Sequence, residues 1–143
     1  PNAFELEQLT GDRVVDVGTA VAAAHALRAR GTGAVVVTSV PDHPDPNLGG
    51  LMIGTLAVDD EGEWLIEAPK LTRLAKGAGD VFAGLIIGHL LTGMALRDAA
   101  ARATASVHGL LEAADESDLD LPVIRRRDLL TQPERSFKPQ AVR

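Results

Sequence analysis

Lys76-Gly77-Ala78-Gly79-Asp80-Val81-Phe82-Ala83-Gly84-Leu85-Ile86-Ile87-Gly88-His89-Leu90-Leu91 decides how this chain reads. A glycine-rich turn runs directly into an apolar helix. Gly77 and Gly79 reach backbone angles closed to other residues, so neighbouring amides can point one way. The first four amides of a helix lack partners inside it, and the dipole adds about half a positive charge there. Such a place suits a phosphate or another anion, with Asp80 at its mouth as a base. The same residues also read as a simple capped turn, because Asp is a favoured N-cap. Gly84 and Gly88 form a G-x-x-x-G, which here marks close packing of a buried helix.

Composition bounds the rest. A length of 143 residues fits one domain with a core, and 45% hydrophobic residues describe a folded chain. One Trp, three Phe and no Tyr leave the core to Leu, Val, Ile and Ala. Fourteen basic against twenty acidic residues give a net charge of −6. That balance argues against a nucleic-acid partner, which wants a basic face, and leaves room for a local phosphate site on helix amides. With no Cys, disulfides and thiolate metal sites are excluded. The longest apolar run, Val81 to Leu91, is too short to span a bilayer. No signal peptide is visible, so no membrane partner and a cytoplasmic location are expected. The chain begins Pro1-Asn2 without Met, and a piece of a longer protein is expected.

Outward from the glycine turn, the pattern predicts an α/β chain. Asn2 and Glu5 have capping-box spacing ahead of a short helix Phe4–Leu9, closed by Thr10-Gly11. The other reading of that pair is a metal or phosphate-water site. Val17, Ala20, Val21, Ala24 and Leu27 recur at helical spacing, giving a helix from Asp16 to Arg30. Ala34 to Ser39 is a β-branched run expected as a central strand covered on both faces, in parallel winding. Ligands in such sheets bind beyond strand carboxyl ends, where Thr38 and Ser39 lie. Val40 to Gly50 reads as a loop, and Asp42, His43 and Asp45 within it as solvated side chains more than metal ligands. Leu51–Val58 and Glu63–Ala68 read as strands around a hairpin turn. Leu96–Ala114 is a second helix, Leu121–Arg125 an edge strand, Arg126–Thr131 a helical turn, and the tail from Pro133 poorly ordered.

Three stations taken together resemble the carboxyl-terminal half of the ribokinase-fold small-molecule kinases. They are Asn2-Ala3-Phe4-Glu5, similar to an N-x-x-E motif, the Thr38-Ser39 strand end, and Gly77-Ala78-Gly79-Asp80, similar to the anion-hole and catalytic-Asp motif. Their order and the spacing of about seventy-five residues between first and third also match. Within that superfamily the likeness is to the pyridoxal kinases. It is carried by Pro1 to Gly11, by Val36-Val37-Thr38-Ser39-Val40 and by Val123 to Pro133.

The resemblance implies a layered α/β/α, ribokinase-like fold with a mostly parallel central sheet. Residues 1–143 would be the ATP-binding and catalytic-base half of one kinase domain. It implies ATP-dependent phosphorylation of the hydroxymethyl group of pyridoxal, pyridoxine or pyridoxamine in vitamin B6 salvage. Asp80 would be the catalytic base, with Gly77, Ala78 and Gly79 as the anion hole. Thr38, Ser39 and Thr72 would contact ATP, and Asn2 and Glu5 would arrange Mg²⁺. The family also implies a homodimer. Two alternatives stand beside this reading. One is another kinase of the superfamily, acting on a hydroxymethylpyrimidine or a sugar. The other is a non-catalytic remnant that binds nucleotide or pairs with a partner chain.

Overall fold

The computed structural model describes residues 1–44, 50–72, 75–115 and 117–142. The chain forms two compact units, Pro1–Lys70 with Lys138–Arg143, and Leu71–Phe137.

The first unit opens with helices α1 (Ala3–Thr10) and α2 (Val17–Arg28). Strands β1 (Val35–Pro44), β2 (Leu51–Asp59), β3 (Gly62–Pro69) and β4 (Gln140–Ala141) follow. α1 stops at Gly11, whose φ of 84° is left-handed and whose amide donates to the Glu7 carbonyl at 2.7 Å. α2 starts at Asp16, whose carboxylate accepts from the Thr19 amide at 2.8 Å while Thr19 Oγ1 accepts from the Asp16 amide at 3.0 Å. Both helices pack on the sheet, and Leu6, Ala20, Ala24, Val37 and Leu56 are fully buried between them. His25 Nε2 lies 2.7 Å from Glu63, and Arg28 pairs with Asp60, tying the end of α2 to the β2–β3 hairpin.

The sheet corrects the expectation of mostly parallel strands. Its order is β1-β2-β3-β4, and every neighbouring pair is antiparallel. The connections explain this. Asp59 pairs with Gly62, leaving a two-residue turn, and residues 45–50 are also too few for a parallel crossover. Among the described residues, parallel pairing survives in two isolated bridges, Asn2 with Thr38 and Lys76 with Asp120. β1 is therefore at one end of the order and not a central strand. Its burial alternates, Val35 and Val37 buried against half-buried Val36 and Thr38. β1 also runs on to Pro44, where a loop was expected. Asp45 lies outside the described residues, as do the side chains of Asp42 and His43.

The second unit holds α3 (Ala78–Leu91), α4 (Leu96–Glu112) and a 3-10 turn at Arg127–Leu130. Leu110, Leu121 and Leu129 form its packed centre. The expected strand at Leu121–Arg125 is instead a pair of turns. The Val123 amide donates to the Leu121 carbonyl and the Arg126 amide to the Pro122 carbonyl, each at 2.8 Å. Pro122 has no amide to give a ladder.

The tail is ordered, against expectation. Arg135 grips Glu112 through two bonds, at 3.0 and 2.7 Å. That grip is the main cause holding the Glu112 carboxyl below the usual range. The Phe137 ring meets the buried His108 edge-on, centroids 5.2 Å apart. Further on, Gln140 and Ala141 pair with β3. The G-x-x-x-G expectation also fails within this chain. Gly84 and Gly88 are exposed, and the buried side of α3 is Phe82 and Ile86.

His89 lies on α3, half-buried, with Nε2 lacking a hydrogen-bond partner among the described residues. Burial first and the Arg102 charge second push its imidazole below its ordinary value. The unfolded chain then accepts a proton that the folded one resists. The His89 contribution to stability is complete above about pH 6.5 and is lost as the pH falls through the folded value. An NMR titration should place its midpoint below 6.5, and His89→Gln should flatten the acid limb of the stability curve; a midpoint at or above 6.5 contradicts the burial. Leu110→Ala should cost about 2–5 kcal/mol in urea unfolding. Leu91→Ala, at a side chain 84% exposed, should stay within about 0.5 kcal/mol.

Candidate active site

The glycine turn is set by the residue before it. The Lys76 amide donates to the Leu119 carbonyl at 2.9 Å, and the Lys76 carbonyl accepts from the Leu121 amide at 3.1 Å. Leu121 is buried beside Leu110 and Leu129, and Ala75, Ala78 and Val81 pack on the same cluster. Just upstream, Asp118 accepts from the Asp115 amide at 2.8 Å and from Arg125 Nη2 at 2.6 Å. The Asp115 amide first and the Arg125 guanidinium second hold the Asp118 carboxyl below the usual range. This scaffold was not foreseen. Arg125 and Asp118 are seven residues apart, and nothing in their spacing announces the pair.

From that anchor the chain turns at Gly77, with φ 88° and ψ −3°, in the left-handed region. Gly77 is the N-cap of α3, no side chain caps the helix, and the Val81 amide donates to the Gly77 carbonyl at 3.0 Å. The helix thus begins three residues earlier than a cap at Asp80 would place it. Asp80 is its third residue, exposed, and not its cap. A cap would bend its carboxylate back onto the helix's own amides. In the first turn, Asp80 instead stands exposed at the positive helix end. The amides of Ala78, Gly79 and Asp80 belong to the set with no partner inside the helix. The turn has the chemistry of an anion cradle with a base at its rim.

Of the other candidate residues, Asn2, Glu5, Thr38 and Ser39 lie in the first unit and Thr72 in the second. Asn2 and Thr38 form a parallel bridge, and the Thr38 amide donates to the Pro1 carbonyl at 2.9 Å. The Asn2–Glu5 pair and Thr38-Ser39 are therefore neighbours, though Thr38 and Ser39 lie within β1 and not at its carboxyl end as expected, because the strand continues to Pro44. The capping-box reading of that pair is met, since the Glu5 amide donates to Asn2 Oδ1 and the Asn2 amide to Glu5 Oε2, both at 2.8 Å. The ladder of β1 breaks between Val37 and Val40. Ser39 sits in that bulge with φ 55°, a positive value in a residue other than glycine, and is exposed.

Among the described residues no three His, Asp or Glu side chains cluster as a metal cage. Mg²⁺ does not ask for one. It binds through one or two carboxylates, waters and substrate phosphates. Glu5 offers a hard carboxylate with one oxygen engaged in the cap, and it is exposed. The donor set fits that ion. Thr72 is exposed in a bend, and among the described residues no hydrogen bond brings it to the Gly77–Asp80 turn.

With this geometry in place, three comparisons bear on the chain. The Phosphomethylpyrimidine kinase family matches residues 1–120. The pyridoxal kinase PdxY of Leifsonia xyli is 35% identical over 140 residues, covering 96% of this chain and 48% of its own length. That of Rubrobacter xylanophilus is 42% identical over 112 residues, covering 78% and 38%. The pyridoxal kinase of Leishmania donovani in complex with ADP and pyridoxine superposes with a TM-score of 0.85 at 23% identity. It covers 100% of this chain and 50% of its own. That of Entamoeba histolytica gives 0.81 at 25%, covering 99% and 50%. The α/β, ribokinase-like fold is the one present. The chain spans about half the length of the curated relatives it matches.

Two substitutions separate backbone demand from space at the turn. An added Cβ meets nothing within 4 Å at either Gly77 or Gly79, but only Gly77 is left-handed. Gly77→Ala should cost about 1–2 kcal/mol. Gly79→Ala should be neutral or stabilising by up to about 1 kcal/mol. Urea unfolding of both variants checks this, and equal costs would show that the turn does not depend on its left-handed residue.

Proposed function

The chain belongs to the phosphomethylpyrimidine kinase family, and from that premise we propose that it is the carboxyl-terminal half of one ribokinase-like kinase domain. The whole enzyme moves the γ-phosphoryl of ATP to the hydroxymethyl oxygen of pyridoxal, pyridoxine or pyridoxamine, in vitamin B6 salvage. The observation that carries the chemistry is the start of α3, with no side-chain cap and with Asp80 exposed in its first turn. The substrate class rests on the relatives named pyridoxal kinase PdxY.

In this mechanism Asp80 takes the proton from the substrate hydroxyl as its oxygen attacks phosphorus. The amides of Gly77, Ala78 and Gly79 receive the charge that gathers on the transferred phosphoryl oxygens. Phosphoryl transfer needs positioning and charge stabilisation more than covalent help, and fixed main-chain donors supply both. Thr38 and Ser39 contact the nucleotide phosphates, and Thr72 lies by the nucleotide. Asn2 and Glu5 would hold Mg²⁺ and its waters, and the ion would supply neutralisation of phosphate charge. The same reading places the enzyme in the cytoplasm as a homodimer.

The family's description, a kinase of a phosphomethylpyrimidine, supports a second reading in which the substrate is a pyrimidine such as a hydroxymethylpyrimidine. ATP-dependent turnover of pyridoxal and of hydroxymethylpyrimidine by the complete enzyme separates the two, and turnover of the pyrimidine alone removes the pyridoxal assignment. Asp80→Asn should lower kcat by about 10²–10⁴ while ATP affinity holds. An unchanged kcat would show that Asp80 takes no proton.

A further inference from the structure

The main chain of Lys76 sets the glycine turn, and its side chain is exposed at the same place. Two opposite charges meet there. The open end of α3 carries about half a positive charge, and the carboxylate of Asp80, in the first turn, carries a full negative one. At comparable distances the carboxylate outweighs the helix end, because Coulomb energy scales with charge. Without a further cation from this chain the turn is therefore net negative, which opposes the phosphate it is to hold. One more positive charge reverses the sign. From Ala75 to Leu96, Lys76 is the one lysine or arginine in the sequence.

Its placement and its lack of a competing acid both favour that role. The Lys76 amide donates to the Leu119 carbonyl and its own carbonyl accepts from the Leu121 amide, so the residue is held from both sides. The Cα of Gly77 is about 3.8 Å further on, and a flexible four-carbon stem spans the few residues whose amides form the cradle. Carboxylates are close at hand in the chain, Asp120 as the bridge partner of Lys76 and Asp118 just before it. Asp118 is instead taken by Arg125 at 2.6 Å. Among the described residues no ion pair joins Lys76 to Asp80, Asp118 or Asp120. We propose that Lys76 is a further catalytic residue, whose ammonium contacts the terminal phosphoryl oxygens of a nucleoside triphosphate seated on the Gly77–Gly79 amides. A compact ammonium with three rotatable donors suits oxygens that rearrange during transfer. Lys76 forms no covalent bond and keeps its proton, and Asp80 remains the base. The proposal rests on the phosphotransfer reading of the turn.

The test is nucleotide binding by the complete enzyme, measured by calorimetry with AMP and with a non-hydrolysable ATP analogue. Lys76→Met keeps a stem of similar length and removes the charge, while Lys76→Arg keeps a charge. Lys138→Met, at an exposed lysine of the tail, is the control. Lys76→Met should weaken the ATP analogue about ten- to a hundredfold and leave AMP unchanged. Lys76→Arg should recover most of the loss, and Lys138→Met should match the parent enzyme. The loss should persist when Asp80→Asn is also present. All variants should unfold at the parent urea midpoint, since the Lys76 bonds that set the turn are main-chain ones. An unchanged affinity of Lys76→Met for the analogue overturns the proposal, as does an equal loss for AMP. A loss that vanishes beside Asp80→Asn also overturns it, in favour of a lysine that serves only the aspartate. The two readings fail separately. An unchanged kcat in Asp80→Asn removes proton transfer while the Lys76 loss stands, and an unaltered analogue affinity in Lys76→Met removes the lysine while the aspartate stands.

Discussion

Two main-chain hydrogen bonds, from the Lys76 amide to Leu119 and from the Leu121 amide to Lys76, are the constraint on which the candidate site depends. They fix where the chain stops being extended. One residue later it must turn, and Gly77 at φ 88° is the residue type that turns there without a Cβ penalty. Helix α3 then begins at Ala78, and Asp80 falls in its first turn. Had the anchor lain further along, Asp80 would have become the N-cap and spent its carboxylate on its own amides. A backbone register thus separates a structural aspartate from an available one. The anchor is itself held by burial of Leu121 and by the Arg125–Asp118 pair.

The first unit shows a different economy of groups. Asn2 and Glu5 close a capping box, which by itself explains both side chains. Yet the box uses one oxygen of the Glu5 carboxylate, and the same helix start lies beside Thr38. The other Glu5 oxygen is thus outside the box, whereas the Asn2 side-chain oxygen is engaged within it. Ser39 is the residue held in a strained backbone conformation. A left-handed serine in a strand costs energy that β-sheet pairing alone would not impose, and such residues gather where a side chain must be aimed.

What was legible in the sequence was local. The α1 capping box, the Asp16 start of α2, the Asp59–Gly62 turn and the glycine-rich opening of α3 all depend on residues within four positions of one another. What was missed depends on distant partners. The start of α3 required the contact with residues 119–121. The order of the tail required Arg135 to reach Glu112, and Phe137 to reach His108, 29 residues away in sequence. The continuous Val35–Val37 run signalled a buried strand, but not which neighbours it would find. Pairing direction followed from connection lengths more than from hydropathy, and the β1 bulge had no residue signature, because serine is not chosen for positive φ. The candidate site residues are named by their motifs, but the grouping of Asn2 with Thr38 could not be read there.

Exposure finally decides what the glycine turn can do in this chain. About half a charge at a helix end attracts a unit anion 4 Å away by about 0.5 kcal/mol in bulk water, and by about 2 kcal/mol where the effective dielectric constant is near 20. Gly77, Gly79 and Asp80 are all exposed, so the turn works at the weak end of that range. Phosphoryl transfer asks for the strong end, with water excluded from the reacting atoms. The apolar flank of α3 begins three residues beyond Asp80. Polypeptide seated on that flank would bring low-dielectric matter to the edge of the cradle, strengthening each amide's hold on phosphate without changing any residue of the turn. The open helix face and the exposed aspartate share the first turns of α3, so anything that covered the one would change the dielectric around the other.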